Sequence, residues 1–145
     1  MTSALRLSDP ENGEVYQRNH DAFVEEISTL ERELAAIFKA FQGKKILVFH
    51  PAWSYFCRDF GLIQIPIQRE GKDPSPGDLT RLIETSRNES IRVIFVQRQF
   101  DTHQAETIAR EIGATVVTLD PLAEDWFKNM RRIADTFAKT FAREK

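Results

Sequence analysis

The sequence predicts an α/β fold in which a four-stranded parallel sheet carries helices on both faces and follows one long N-terminal helix. Two observations lead to this prediction. Apolar residues recur at helical spacing in the first part of the chain, and short apolar runs then alternate with helical patterns. Strands that alternate with helices form a parallel sheet through right-handed crossovers. We therefore expect residues 1–43 to form a long backbone helix and residues 44–145 to form a single α/β lobe.

The long helix has a predicted start, an apolar stripe and a predicted end. Asp9 can cap the backbone N–H groups of the first turn, Pro10 suits the first helical position, and Gly43 can end the helix. The stripe consists of Phe23, Ile27, Leu30, Leu34, Ile37 and Phe41. A helix from Pro10 to Gln42 would be about 50 Å long, whereas a small domain is about 30 Å across. We therefore expect the helix to extend beyond its own lobe and to offer a surface to another element.

The lobe follows from four apolar runs and the helical patterns between them. Strands are predicted at residues 45–49, 62–67, 91–96 and 115–119, and Pro66 favours an edge position for the second. Helices are predicted at residues 53–60, 76–88 and 101–112, and from residue 123 to the C-terminus. Ser75 can cap the second of these helices, and Gly61 and Gly113 can end the first and the third.

Composition excludes several classes of protein. Twenty Lys and Arg against 22 Asp and Glu give a net charge of −2, which argues against a nucleic-acid-binding protein. The 145 residues suffice for one domain with its own core, and no run approaches the ~18 apolar residues of a membrane span. The acidic opening has no apolar block, so we expect no signal peptide in this chain. A single cysteine, Cys57, excludes an internal disulfide and a thiolate zinc cluster.

Polar residues follow three of the predicted strands. Ligands of an open parallel sheet bind beyond the carboxyl ends of its strands. That rule selects His50 after the first strand, Gln97 and Arg98 after the third, and Asp120 after the fourth. His50 and Asp120 can bind a metal through an imidazole nitrogen and a carboxylate oxygen. A histidine after a strand and an aspartate before a proline are also ordinary loop residues, so this pattern leaves both interpretations open.

The remaining polar and aromatic candidates favour structural roles. His20 and His103 are expected to face solvent, Cys57 to pack in the interior, and Arg131, Arg132 and Lys139 to lie on a solvated helix face. Trp53, Tyr55 and Phe56 can either pack in the core or line a cleft. The chain has no Gly-rich phosphate loop, no His-Glu-x-x-His motif and no serine nucleophile elbow. We therefore expect no enzymatic activity.

Four segments, in order, resemble one protein family. Residues 48–56, Val-Phe-His-Pro-Ala-Trp-Ser-Tyr-Phe, resemble the FHDAFGYF-like segment of the solute-binding proteins of zinc and manganese ABC importers, the ZnuA/TroA-like group. Asp73-Pro74-Ser75-Pro76 before Leu79, the run 93–100 and the run 118–122 resemble the family's EPSP, VIFVEPQF and LDPL segments. The opening at residues 9–12 fits the entry to the family's backbone helix. The resemblance covers nearly the whole chain.

The resemblance implies half of a two-lobed metal-binding protein. Family members hold one metal ion between two α/β lobes joined by a rigid helix, and this chain resembles that helix with the C-terminal lobe. The family's ligands in this lobe fall on His50 and Asp120, two of about four, so the resemblance implies that the others come from an N-terminal lobe that this chain does not include. Zinc is the implied cargo, with manganese as the alternative, and an importer permease is the implied partner. A periplasmic or extracytoplasmic location is implied for the full-length protein.

Three departures from the family pattern weaken the site's attraction for a cation. Pro51 replaces an Asp, Gln97 replaces a Glu and Arg98 replaces a Pro, and each change makes the site more positive. Gln97 and Arg98 are candidates for a supporting role around the ion. The alternative interpretation is a non-enzymatic dimerisation or interaction module that associates through the long helix and whose metal site has decayed. Size-exclusion with light scattering distinguishes a monomer from that module.

Overall fold

The computed structural model describes residues 1–68, 71–99 and 102–143. It divides into two compact units, residues 1–36 and residues 37–145. The first unit contains helix α1, Thr2–Ser8, and most of helix α2, Gly13–Phe38. Within the described ranges, no helix combines the length and the hydropathy of a bilayer span.

The long helix is shorter than the sequence predicts. Instead of an α-helix from Pro10 to Gln42, α2 is flanked by 3-10 turns at Pro10–Asn12 and Lys39–Phe41. The helix α1 was not predicted. Asp9 also differs from the prediction, because its carboxylate makes no capping bond. It accepts hydrogen bonds from Tyr16 Oη at 2.7 Å and Asn12 Nδ2 at 2.9 Å, and these side chains lower the pKa of Asp9.

The predicted apolar stripe is only partly buried. Leu30 and Leu34 are each 2% exposed, but Phe23 is 53% exposed. The deepest residue of α2 is Phe38 at 0% exposure, which the stripe did not include. In the second half of α2 the buried residues are therefore Leu30, Leu34 and Phe38. The third of these is one residue later than the predicted Ile37.

The second unit is an α/β lobe with a parallel sheet, as predicted. The strands are β1 (Lys45–Val48), β2 (Ile63–Pro66), β3 (Val93–Gln97) and β4 (Thr115–Leu119). All pairs are parallel and the order is β2-β1-β3-β4, so Pro66 lies on an edge strand. This confirms the predicted fold class and the edge position of β2.

Four helices connect and follow the strands. They are α3 (Ser54–Phe60), α4 (Pro76–Asn88), α5 (His103–Ile112) and α6 (Trp126–Arg143). Ser75 Oγ accepts from the backbone N–H of Asp78 at 3.2 Å, which confirms the predicted cap of α4. Gly61 and Gly113 end α3 and α5 with φ of 71° and 68°, a conformation that favours glycine. Helix α6 begins three residues after its predicted start near residue 123. The predicted start of α5, Asp101, lies outside the described residues.

Alternate residues of the strands pack on opposite faces of the sheet. Leu47, Ile94 and Val96 belong to one buried cluster with Ala105, Ile108 and Ile112 of α5, and Leu79, Leu82 and Ile83 of α4 pack against it. On the other face, the ring of Phe95 lies 4.4 Å from that of Phe137 on α6. Because helices pack against both faces of the sheet, we look for a ligand site at the ends of the strands.

Candidate metal centre

The carboxyl edge of the sheet brings the predicted site residues to one side of the lobe. β1 pairs with β3 through Val48↔Phe95, and β3 pairs with β4 through Gln97↔Leu119. His50 lies two residues after β1, and Asp120 directly follows β4. Because the strands are parallel, His50 and Asp120 lie at the same sheet edge, on either side of the strand that ends with Gln97.

The loop that carries His50 is held by a side chain of the neighbouring strand. The half-buried His50 accepts a hydrogen bond at its backbone carbonyl from the N–H of Ala52 at 2.9 Å, which makes the turn compact. Gln64, on β2, accepts from the backbone N–H of Trp53 at 2.9 Å and donates to Ser54 Oγ at 2.9 Å. Gln64 therefore fastens the start of α3 to the edge strand. No sequence pattern predicts this role, because the two segments meet only in the folded chain.

Asp120 is an ionised carboxylate held by two N–H donors. Its Oδ1 accepts from Gln99 Nε2 at 2.8 Å and from the backbone N–H of Leu122 at 3.0 Å. The Gln99 bond, followed by the Leu122 bond, lowers the pKa of Asp120, and the charges of Arg98 and Arg132 lower it further. Both kinds of contact favour the charged form, so the carboxylate needs no deprotonation to bind a cation at neutral pH.

Asn129 fixes the backbone of Asp120 from helix α6. This side chain is only 4% exposed. It donates from Nδ2 to the Asp120 carbonyl at 2.6 Å and accepts at Oδ1 from Arg132 Nη2 at 3.0 Å. A buried amide is tolerated when both of its ends are bonded. Asn129 was not among the predicted site residues, although an asparagine four residues before Ile133 on an apolar helix face was a usable signal. Arg132 was predicted only to lie on a solvated face.

Two described residues next to the site, Gln97 and Arg98, contribute no negative charge. Gln97 is 7% exposed, and its Nε2 has no hydrogen-bond acceptor within the described part of the chain. Arg98 is exposed, and its charge acts on Asp120. No group of three or more His, Cys, Asp or Glu residues in the described ranges is arranged to hold a metal ion. The described chain therefore offers an incomplete set of strong metal ligands.

A cleft elsewhere in the lobe involves none of the predicted site residues. It has a volume of about 880 Å³ and lies between the edge strand β2 and α4, with Ile65, Asp78 and Arg81 among its lining residues. Asp78 is bonded to Arg81 at 2.9 Å, and Pro66 in the same lining has no N–H group to donate. We assign no ligand to this cleft.

The other candidates divide between surface and core. His20 is exposed with its Nδ1 2.9 Å from Asp21 Oδ1, and His103 is exposed, as predicted. The three aromatic residues at positions 53, 55 and 56 differ in their exposure. Trp53 and Phe56 are buried, whereas Tyr55 is 76% exposed and lies against the Arg58 guanidinium.

Cys57 is expected to be unreactive in the folded protein. It is 3% exposed, and burial raises the pKa of its thiol to about 12. The nucleophilic thiolate is therefore scarce near pH 8, and we expect labelling by a disulfide reagent on the order of a thousandfold slower than in unfolded chain. Labelling rates measured in buffer and in concentrated urea test this expectation. Equal rates in the two conditions would contradict the burial of Cys57.

Comparison with known proteins identifies relatives that are about twice as long as this chain. The profile of a family described as zinc-uptake complex component A, periplasmic, matches residues 1–140. The high-affinity zinc uptake system protein ZnuA of Brucella abortus is 30% identical over 128 residues, which cover 86% of this chain and 38% of that protein. The chain spans only half the length of the first curated relatives that it matches, because the matched segment covers 50% of each of them.

Solved structures agree with this similarity over nearly the whole chain. A crystal structure of ZnuA has a TM-score of 0.90 and 42% identity, covering 95% of this chain and 54% of that one. The structure of FpvC from Pseudomonas aeruginosa in complex with Mn²⁺ has a TM-score of 0.79 and 25% identity, covering 99% and 58%.

Proposed function

Because the chain belongs to the zinc-uptake complex component A family, we propose that it is the C-terminal metal-binding lobe of the solute-binding protein of an ABC importer. The observation that carries the proposal is the position of His50 and Asp120 at one carboxyl edge of the sheet, where ligands of parallel sheets bind. In this proposal His50 supplies an imidazole nitrogen and Asp120 a carboxylate oxygen. Both residues are binding groups, and no catalytic step is involved.

Zinc is the proposed cargo and manganese the alternative. Imidazole suits zinc, whereas manganese prefers sets of oxygen ligands. The similarity to a protein solved in complex with Mn²⁺ keeps manganese as the second candidate. His50 and Asp120 would supply about half of the four ligands that zinc sites in proteins usually have.

The missing ligands are proposed to come from an N-terminal lobe. This proposal is supported by the relatives, of which the chain covers only about half the length. In the full-length protein the ion would be enclosed between the lobes, outside the cytoplasm, and then passed to the importer's membrane permease. The chain alone is therefore expected to bind zinc weakly.

A zinc titration by calorimetry tests the two proposed ligands. We expect weak one-to-one binding to the chain, with the affinity reduced by about tenfold or more in His50→Ala and in Asp120→Ala. His20→Ala is the control, because His20 is an exposed histidine on α2 and is not one of the proposed ligands. Tight binding that survives both substitutions would show that other residues hold the metal.

A second candidate is self-association through the first unit. Several of its apolar side chains are exposed, among them Leu7 at 84% and Phe23 at 53%. Light scattering over a range of concentrations tests this candidate. A monomer at every concentration would exclude a dimerisation module, whereas a dimer that dissociates in Leu7→Glu would support one.

A further inference from the structure

Gln97 carries a buried amide group with an unsatisfied end. It is the last residue of β3 and is 7% exposed, and its Nε2 has no acceptor within the described residues. Leaving a polar atom unpaired in the interior is costly, and most buried polar groups in proteins are paired. No described residue explains why an amide, and not an apolar side chain, occupies this position, so we looked for an explanation in its place in the sheet.

The position of Gln97 supplies one. Val48 of β1 is paired with Phe95 of β3, and the N–H of Phe49 donates to the Phe95 carbonyl at 2.9 Å. His50 then follows at the level where Gln97 ends β3. On the other side of β3, Gln97 is paired with Leu119, the residue before Asp120. Gln97 therefore lies on the strand between the two proposed ligands, level with His50 and one residue short of Asp120.

We propose that Gln97 is a third metal-binding residue of this lobe, a neutral oxygen donor between His50 and Asp120; this inference rests on the proposed function. A half turn of the side-chain amide exchanges Nε2 for Oε1 with little change in shape, which would present carbonyl lone pairs to a cation. Amide and carbonyl oxygens are accepted metal ligands, and a neutral one adds no charge to the set. A cation cannot accept from an N–H group, so the ion would contact Oε1 after that half turn, at the position where Nε2 has no acceptor among the described residues.

A second unpaired polar group provides a control. Ser86 on α4 is 1% exposed, and its Oγ also has no partner within the described chain. Ser86 accepts at its backbone carbonyl from the N–H of Ile91, just before β3 begins. It therefore lies near the amino end of β3, whereas Gln97 lies at the carboxyl end. Removing either polar group relieves a similar burial cost, but only Gln97 is near the proposed ligands.

The test compares Gln97→Leu with Ser86→Ala in two measurements. The first is the urea midpoint without metal, which we expect to be unchanged or higher in both variants, because each loses an unpaired polar group. The second is the dissociation constant for zinc, followed by amide NMR shifts so that weak binding is measurable. We expect this constant to rise about tenfold or more in Gln97→Leu and to stay unchanged in Ser86→Ala.

Each other outcome has a definite meaning. A lower urea midpoint in Gln97→Leu would show that the amide is satisfied in the lobe and would overturn the inference. Zinc binding that needs His50 and Asp120 but is unchanged in Gln97→Leu would overturn the inference and leave the proposed function intact. No zinc binding by the unsubstituted chain, even at millimolar zinc, would count against both.

Discussion

Phe137→Ala is expected to lower the free energy of unfolding by about 3–5 kcal/mol, the usual cost of removing a large buried aromatic side chain. Phe137 is 0% exposed, and its ring centre lies 4.4 Å from that of Phe95 and 5.8 Å from that of Phe56. Its other ring neighbours are Phe38, Trp53 and Phe141. The substitution would leave a cavity shared by the sheet, the helix α6 and the start of α3, which cannot collapse without moving several elements.

Urea unfolding monitored by circular dichroism measures this effect. Leu122→Ala is the control, because Leu122 is 77% exposed and its loss should change the free energy of unfolding by less than about 0.5 kcal/mol. A loss below about 1.5 kcal/mol for Phe137→Ala would mean that the aromatic cluster relaxes around the gap. That result would contradict the prediction that Phe137 is central to the packing of the core.

The parts of the fold that depend on local sequence were predictable. The β-branched run of β4 and the glycines after α3 and α5 act through their own backbone preferences, so spacing alone places them. The ends of α2 were not predictable in the same way. Asp9 has the right residue type for a helix cap, but its carboxylate is taken by Tyr16 and Asn12. A competition between two sets of partners is decided by geometry that a pattern does not contain.

The candidate site was predictable in its position but not in its supports. The rule on strand ends selected Asp120 because it needs only the order of elements. Gln64, Gln99 and Asn129, which hold the two loops of the site, act across separations of 9 to 21 residues. Their roles depend on which surfaces meet after folding. The unpaired amide of Gln97 likewise became visible only once its burial and its surroundings were known.

The second large effect is expected when the charge of the site is restored to the pattern of the family it resembles. Pro51→Asp, Gln97→Glu and Arg98→Pro each make the site more negative by one unit. A unit charge about 6 Å from a monovalent ion contributes about 0.7 kcal/mol in water, and a divalent ion doubles this. Screening by salt and imperfect geometry reduce the sum, so we expect the triple variant to bind zinc about 30-fold to 100-fold more tightly than the unsubstituted chain.

The direction of this change separates a working half-site from a decayed one. Arg18→Gln with Arg32→Glu is the control, because it alters the net charge by the same three units on exposed side chains of α2. If the gain in affinity is local electrostatics, the control should have little effect, and high salt should reduce the gain only in part. If the triple variant binds zinc no better than the control, His50 and Asp120 are not held in a geometry that a cation can use. The charge changes in this chain would then accompany the loss of the site, and the exposed apolar residues of the first unit would become the stronger lead to its function.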